Sequence, residues 1–116
     1  MKKYFSLAAI ASILLFCTAA SAASMAANVS FIWELNGKIY LQMTSIQWDG
    51  AATSCTPATP MFMIDPTTPV GRAQLSLVLT AKEDNHRTYL VGDGVCVSGG
   101  PNGYLAESLI GVQLQP

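Results

Sequence analysis

The chain has 116 residues, of which 51% are hydrophobic and 11% are charged, and its formal net charge is −1. A chain of this length forms a single domain with a modest hydrophobic core. The basic residues are few and scattered, which argues against nucleic-acid binding, because affinity for a phosphate backbone rests on clustered lysine and arginine.

Residues 1–22 have the pattern of a secretory signal peptide. A positively charged start precedes an apolar run of about a dozen residues, which is too short to anchor the chain across a bilayer. Small residues follow and end in Ala20-Ser21-Ala22, which has the A-x-A form of a cleavage site. We therefore expect cleavage after Ala22 and a periplasmic or secreted domain with no stable membrane anchor.

Cys17 offers an alternative, a lipoprotein in which this cysteine becomes the lipidated first residue. That processing normally requires a small residue just before the cysteine, whereas Phe16 is large, so the sequence favours cleavage after Ala22. The mature domain, residues 23–116, then keeps four basic residues against seven acidic ones, a net charge of −3.

The first element of the mature chain is a β-hairpin centred on Asn36-Gly37, because this dipeptide favours a type I′ turn between two β-rich runs. The turn places Trp33 opposite Tyr40. A hairpin with one solvated face would show polar residues on that face. Since both faces here are apolar, we expect the outer one to be covered by a helix, another subunit or a ligand. One face is predicted to carry Val29, Phe31, Trp33, Leu35 and Tyr40, and the other Ile32, Ile39, Leu41 and Met43.

A loop, a short strand and a helix follow the hairpin. Residues 49–60 are rich in Gly, Pro, Ser and Thr and predict the loop, and residues 61–65 predict the strand. Thr68 is the predicted N-cap of the helix, and Pro69 fits its first position. Apolar residues at helical spacing predict a buried stripe made of Leu75, Val78 and Leu79.

Two further β-rich runs, residues 87–97 and 104–115, complete the domain. Gly92 and Gly94 interrupt the first run and predict a bulge or a sharp bend. The order of elements is therefore three strands, one helix and two strands, which is the order of an OB-fold. The sequence predicts one mainly β domain, a small five-stranded OB-like barrel of order β-β-β-α-β-β with one helix.

Cys55 and Cys96 are the two cysteines that remain after cleavage. An even number of cysteines in a small exported domain predicts a disulfide, because the compartment is oxidising and small cores need cross-links. The chain-entropy estimate for such a bridge is about 4 kcal/mol. The alternative is a free cysteine nucleophile with His86 as its base.

Several motifs resemble those of a family of small exported bacterial proteins of unknown function with an OB-type fold. The motifs serve turns, a helix cap and a disulfide, so the resemblance implies a fold and not a chemical task. They cover most of the mature chain and lie at 37–40, 55, 65–73, 79–82 and 91–96.

A weaker resemblance is to the B subunits of five-subunit-ring toxins of the subtilase-cytotoxin type. It rests on an exported OB-type barrel, a helix before the fourth strand and a disulfide in a loop. The resemblance implies ring formation and binding of cell-surface glycans. This chain departs from those subunits because it is shorter, keeps two cysteines and shows no aligned sugar-binding serine.

The chain holds no motif that predicts catalysis. His86 is the only histidine and lies in a charged turn, and no G-x-S-x-G elbow exposes a serine. Glu83 and Asp84 lie at a solvated helix end, without the shielded pocket that a paired-carboxylate acid needs. One histidine and two bridged cysteines do not form a zinc site, and EF-hand spacing is missing. We expect no enzymatic activity, no metal and no cofactor.

Four polar or aromatic residues are the predicted ligand or interface contacts: Trp33, Tyr40, Trp48 and Asp49. The Trp33–Tyr40 pair fits core packing, a protein interface or a platform for a sugar ring. Trp48-Asp49 lies at a loop mouth, where it either packs over the disulfide or stacks on a sugar.

The sequence therefore predicts an exported, non-enzymatic binding or assembly module of a bacterial envelope, with a protein or glycan partner and self-association as a homo-oligomer. The alternative is a glycan-binding, ring-forming subunit.

Overall fold

The computed structural model describes residues 22–115, which form five strands in one sheet and one α-helix. A 3₁₀ turn, Pro101–Gly103, precedes the last strand and was not predicted. The elements in chain order are β1 (Ser24–Leu35), β2 (Lys38–Trp48), β3 (Met61–Ile64), α1 (Pro69–Asp84), β4 (Thr88–Val97) and β5 (Ala106–Leu114). The fold is therefore mainly β, with the helix between the third and fourth strands.

The sheet closes on itself in the order β1-β2-β3-β5-β4, because β4 also pairs with the first residues of β1. All neighbouring pairs are antiparallel except β3 and β5, which run parallel. Parallel neighbours need a crossover connection. Here the chain between them passes through α1 and β4.

The β1–β2 hairpin has the predicted turn and register. Asn36 and Gly37 both have positive φ, 53° and 81°, as a type I′ turn requires. Trp33 lies opposite Tyr40, as predicted. The prediction for Val29 was wrong, because the strand register shifts between Val29 and Phe31. The extra residue is a bulge that reverses the alternation of side chains, so Val29 points into the barrel while Phe31 points out.

The core fills the inside of the closed sheet. Its members come from every strand and from the helix, so all the elements share one hydrophobic centre. The buried core residues are Met25, Ala27, Val29, Ile39, Leu41, Met43, Phe62, Ile64, Val78, Leu90 and Leu109.

The helix begins as predicted and buries part of the predicted stripe, since Val78 is buried and Leu75 packs against the core. The Thr68 hydroxyl accepts a hydrogen bond from Gly71 N at 2.9 Å, and Pro69 is the first helical residue. The prediction that Leu79 is buried was wrong, since this side chain is 50% exposed. Leu79 follows Val78 by one residue, about 100° around the helix, and so lies beside the buried face and not within it. The buried residues of α1 are Gly71, Gln74, Val78 and Ala81.

The predicted disulfide between Cys55 and Cys96 is present, with a Cα–Cα distance of 5.5 Å. It ties the loop between β2 and β3 to the end of β4. Among the residues that the structure describes, no helix is long and apolar enough to cross a membrane.

Candidate binding surface

Tyr40 is a core residue and not a surface one. It is 3% exposed and belongs to a second apolar cluster on the outer face of the sheet, here called the outer cluster. Gly100, in the loop between β4 and β5, packs against its ring, at a position where an added Cβ would lie 3.4 Å from Cε1. The chain thus covers this part of the outer face with its own loop. The outer cluster comprises Tyr40, Met61, Met63 and Ala106, with Trp33, Val97 and Tyr104 packed against it.

Phe31 extends the outer face beyond that cover. Its ring stacks on that of Trp33, with centroids 5.5 Å apart and an interplanar angle of 28°. Trp33 is half-buried against the outer cluster, whereas Phe31 is 56% exposed. Leu35, two residues beyond Trp33 on the same strand, is also exposed. β1 therefore presents an apolar strip to solvent on its outer face.

One edge of β1 has no strand beside it over residues 29–35, and we call this stretch the β1 edge. β4 pairs with β1 only from Ser24 to Ala27, and no other described strand takes its place. Pairing stops where Arg87 inserts its guanidinium, which donates to Asn28 Oδ1 and to Ala26 O, both at 3.0 Å.

The register shows which main-chain groups face outward at the β1 edge. The residues that flank a two-residue type I′ turn, Leu35 and Lys38, form a hydrogen-bonded pair, and such pairs then alternate along an antiparallel ladder. Trp33 is therefore bonded to β2, while Ile32 and Glu34 direct their N–H and C=O groups away from it. Within residues 22–115 no strand pairs with these groups on that side, so they could pair with another chain.

A groove of about 540 Å³ runs between β1 and α1, beside the β1 edge. Its floor includes the exposed side chains of Phe31 and Leu79. A cation and an anion from adjacent helix positions stand at its rim. We call it the β1–α1 groove, and it is lined by Ser30, Phe31, Ile32, Leu79, Lys82 and Glu83.

Trp48 and Asp49 lie far from this surface. Trp48 pairs with Met25 at the opposite end of β1 from Trp33 and packs against the barrel core. Asp49 joins three strands: the Tyr89 hydroxyl donates to its carboxylate, and its carbonyl accepts from Ser24 Oγ at 2.8 Å. The four predicted contacts therefore form two separate groups.

Glu107 is a buried, hydrogen-bonded carboxylate that the sequence did not predict. It is fully buried at the start of β5, and its carboxylate accepts hydrogen bonds from Ala23 N, Gly94 N and Thr53 Oγ1, at 3.0, 2.8 and 2.7 Å. The signal available in the sequence was a lone acidic residue inside an apolar run, facing a strand interrupted by two glycines.

His86 is the base that the sequence offered for a free cysteine nucleophile, but Cys55 and Cys96 are bonded to each other. His86 is exposed just after α1, and its backbone N–H donates to Ala81 O at 2.9 Å. Within residues 22–115, no three side chains of His, Cys, Asp or Glu are grouped so that they could hold a metal ion.

Comparisons of the chain with protein-family models, with curated proteins and with solved structures found no match.

Proposed function

We propose that this chain is an exported, non-enzymatic assembly module of a bacterial envelope that pairs with a second copy of itself through the β1 edge. The observation that carries the proposal is the unpaired main chain at Ile32 and Glu34, placed beside the exposed ring of Phe31. A free edge supplies backbone hydrogen bonds to an added strand, and apolar side chains on alternate residues supply the contact area.

The β1 edge carries little protection against such pairing. Monomeric proteins commonly protect an edge strand with lysine, proline or an inward-pointing charge. Between Phe31 and Leu35 the only charged side chain is Glu34. Its carboxylate turns back to accept a hydrogen bond from Gly37 N at 2.8 Å. Between Phe31 and Leu35 the strand itself therefore carries neither a proline nor a cation.

An OB-type barrel is the fold that we propose for this module. It is supported by the closed β1-β2-β3-β5-β4 order and by a helix between β3 and β4. Export is supported by the pattern of residues 1–22 and by the Cys55–Cys96 disulfide, which forms and persists in an oxidising compartment.

The native mass of the oxidised chain 23–116, measured by light scattering after size exclusion, tests the proposal. We expect a mass above that of one chain, and a return to one chain with Phe31→Lys, which places a cation on the apolar strip. Val95→Lys is the matched control, since Val95 is also 56% exposed but lies on β4. A wild-type chain that stays monomeric at all concentrations would refute self-assembly.

A substitution in the main chain separates strand pairing from side-chain contact. Glu34→Pro removes an N–H that points away from β2, so the hairpin keeps its ladder while the edge loses a donor. We expect a folded monomer with unchanged circular dichroism. Association that survives both Glu34→Pro and Phe31→Lys would place the interface elsewhere.

The second candidate is a glycan-binding, ring-forming subunit. It is favoured by the Phe31–Trp33 stack, because aromatic faces at a surface are suited to contact with the apolar face of a sugar ring. Binding of the mature chain to an immobilised oligosaccharide panel distinguishes the two. Glycan binding that is lost with Trp33→Ala would support the second candidate, and a blank panel would count against it.

A further inference from the structure

The carboxylate of Glu107 lies in an enclosed site built by three parts of the chain. Thr53 Oγ1 donates to Oε1 and in turn accepts from Cys55 N at 3.0 Å, which connects the site to the disulfide. Gly94 N and Ala23 N both donate to Oε2. While Ala23 is an internal residue, all three donors are neutral groups.

The backbone N–H of Ala23 becomes a charged α-ammonium group if the chain is cut after Ala22. Ala23 is completely buried, whereas Ala22 is exposed, so the chain enters the fold between these two residues. Ala23 is also held through its carbonyl, which accepts from Gly92 N at 2.8 Å. Cleavage after Ala22 would leave the terminal nitrogen of the mature chain at hydrogen-bond distance from Oε2 of Glu107.

We propose that the Glu107 carboxylate forms an ion pair with the α-ammonium group of Ala23. Hydrolysis of the Ala22–Ala23 bond produces this group. In that step water adds across the amide: the Ala22 carbonyl becomes a carboxylate, and the freed nitrogen of Ala23 takes up a proton. The catalyst is the cell's signal-peptide-cleaving protease. This inference rests on the proposed export of the chain.

The ammonium group gives the buried carboxylate a partner of opposite charge. A buried carboxylate bonded only to neutral donors keeps much of its desolvation cost, whereas an ion pair with good hydrogen-bond geometry offsets it. Hydrogen bonds to charged groups are also stronger than those between neutral groups. Processing therefore strengthens a contact that joins β1 to β5 close to the disulfide.

The burial of Ala23 also fixes the order of events. A protease needs an extended, accessible segment on both sides of the bond that it cuts, and residue 23 is inaccessible in the folded domain. Cleavage must precede the docking of this end of β1. The position of the cut matters as well, because moving it by one residue along an extended chain moves the charge by about 3.3 Å.

A comparison of two chains tests the inference. One begins at Ala23 and the other at Ala22, and both carry one α-ammonium group, so only its position differs. Ala22 is present in the structure, where Ala23 N donates to Glu107. The additional residue of the longer chain therefore does not block this contact. In urea denaturation we expect the folding equilibrium constant to be about tenfold larger for the chain that begins at Ala23.

Glu107→Gln provides the second half of a double-mutant cycle. The glutamine oxygen can accept from Ala23 N and Gly94 N while its amide donates to Thr53 Oγ1, so we expect this variant to fold. The tenfold difference between the two start points should then fall below about twofold. Equal stabilities with Glu107 present, or an unchanged difference with Glu107→Gln, would overturn the inference.

Chemical labelling gives an independent measurement that does not require Glu107→Gln to fold. The mature chain has three amines, namely the α-amine and the ε-amines of Lys38 and Lys82, and a free α-amine is normally the most reactive near pH 8. In the folded chain that begins at Ala23 we expect the α-amine to be acetylated at least about tenfold more slowly than in the chain that begins at Ala22. Equal rates would contradict the ion pair.

The mass of the exported protein separates failure of the inference from failure of the proposed export. An intact mass matching residues 23–116 supports the cut after Ala22. The double-mutant cycle then tests the role of Glu107. A lipidated chain beginning at Cys17, or an uncut chain, would refute the proposed processing itself and the inference with it.

Discussion

Gly92 on β4 lies directly against the carboxylate of Glu107 on β5: a Cβ added at Gly92 would lie 2.1 Å from Oε2 and 2.5 Å from Cδ. Gly92 is therefore the residue that makes room for the buried acid. Gly94, two residues further on, supplies one of its hydrogen-bond donors. The two glycines that weaken this strand in the sequence serve a single side chain on the neighbouring strand.

Gly92→Ala tests that relationship. Because the added methyl group collides with a buried carboxylate, we expect a loss of about 1–3 kcal/mol in the free energy of unfolding. Gly111→Ala is the matched control, since its Cβ would meet Val91 at an ordinary contact distance of 3.5 Å. Urea denaturation of both variants measures the difference, and equal effects would show that the site is not tightly packed.

Tyr40 is buried and Phe31 is exposed, so replacing each by alanine should lower the free energy of unfolding by different amounts. Tyr40→Ala should cost about 3–5 kcal/mol, because it empties a buried position in the outer cluster. Phe31→Ala should cost less than about 1 kcal/mol, because its side chain is largely exposed. Thermal or urea unfolding of the monomeric form measures both. A Phe31 variant as unstable as the Tyr40 variant would contradict the assignment.

The disulfide should account for a large share of stability. The cysteines are 41 residues apart in the chain, and the chain-entropy estimate for a loop of this size is about 4 kcal/mol. We expect Cys55→Ala with Cys96→Ala to lower the free energy of unfolding by about that amount. A double variant within about 1 kcal/mol of the wild type would show that the loop is held mainly by other contacts, such as Thr53 with Glu107.

The stability of the fold should decrease in acid partly through Asp65. The pKa of its carboxyl is lowered because the Thr67 hydroxyl and backbone N–H donate to it, with a smaller contribution from the charge of Lys38. Since the pKa is lower in the folded chain than in the unfolded chain, this carboxylate stabilises the fold above its ordinary pKa of 3.8. That stabilisation is lost as the pH falls through the lower value in the folded chain.

Thr67→Val removes the hydroxyl donor and should reduce the loss of stability between neutral pH and about pH 2.5. Thr80→Val is the control, because the Thr80 hydroxyl donates to the backbone oxygen of Ser76 and to no carboxylate. Urea denaturation at both pH values gives the comparison. Identical pH dependence in wild type and Thr67→Val would contradict the assigned cause.

Local sequence signals predicted the local structure of this chain well. The Asn36-Gly37 turn set the hairpin register, Thr68 with Pro69 set the start of the helix, and the cysteine count predicted the disulfide. Each of these features depends on a few neighbouring residues or on a simple count, so no tertiary information was needed.

The features that sequence reasoning missed depend on tertiary packing. A bulge near Ser30 moved Val29 to the inner face, and the helix packs through a face centred on Gln74 and Val78, which leaves Leu79 exposed. The role of Glu107 depends on contacts with residues far away in the sequence. The open β1 edge could not be predicted because it is set by where β4 stops pairing.

Hydrogen exchange at the amides of Ile32 and Glu34 tests the central claim most directly, because strand pairing at the β1 edge would bond these two N–H groups. We predict that in the concentrated, associated protein both amides exchange at least about 100-fold more slowly than in the dilute monomer. The amide of Trp33, which faces β2, is the internal reference and should be protected in both samples. Fast exchange at Ile32 and Glu34 in the associated protein would contradict assembly through this edge.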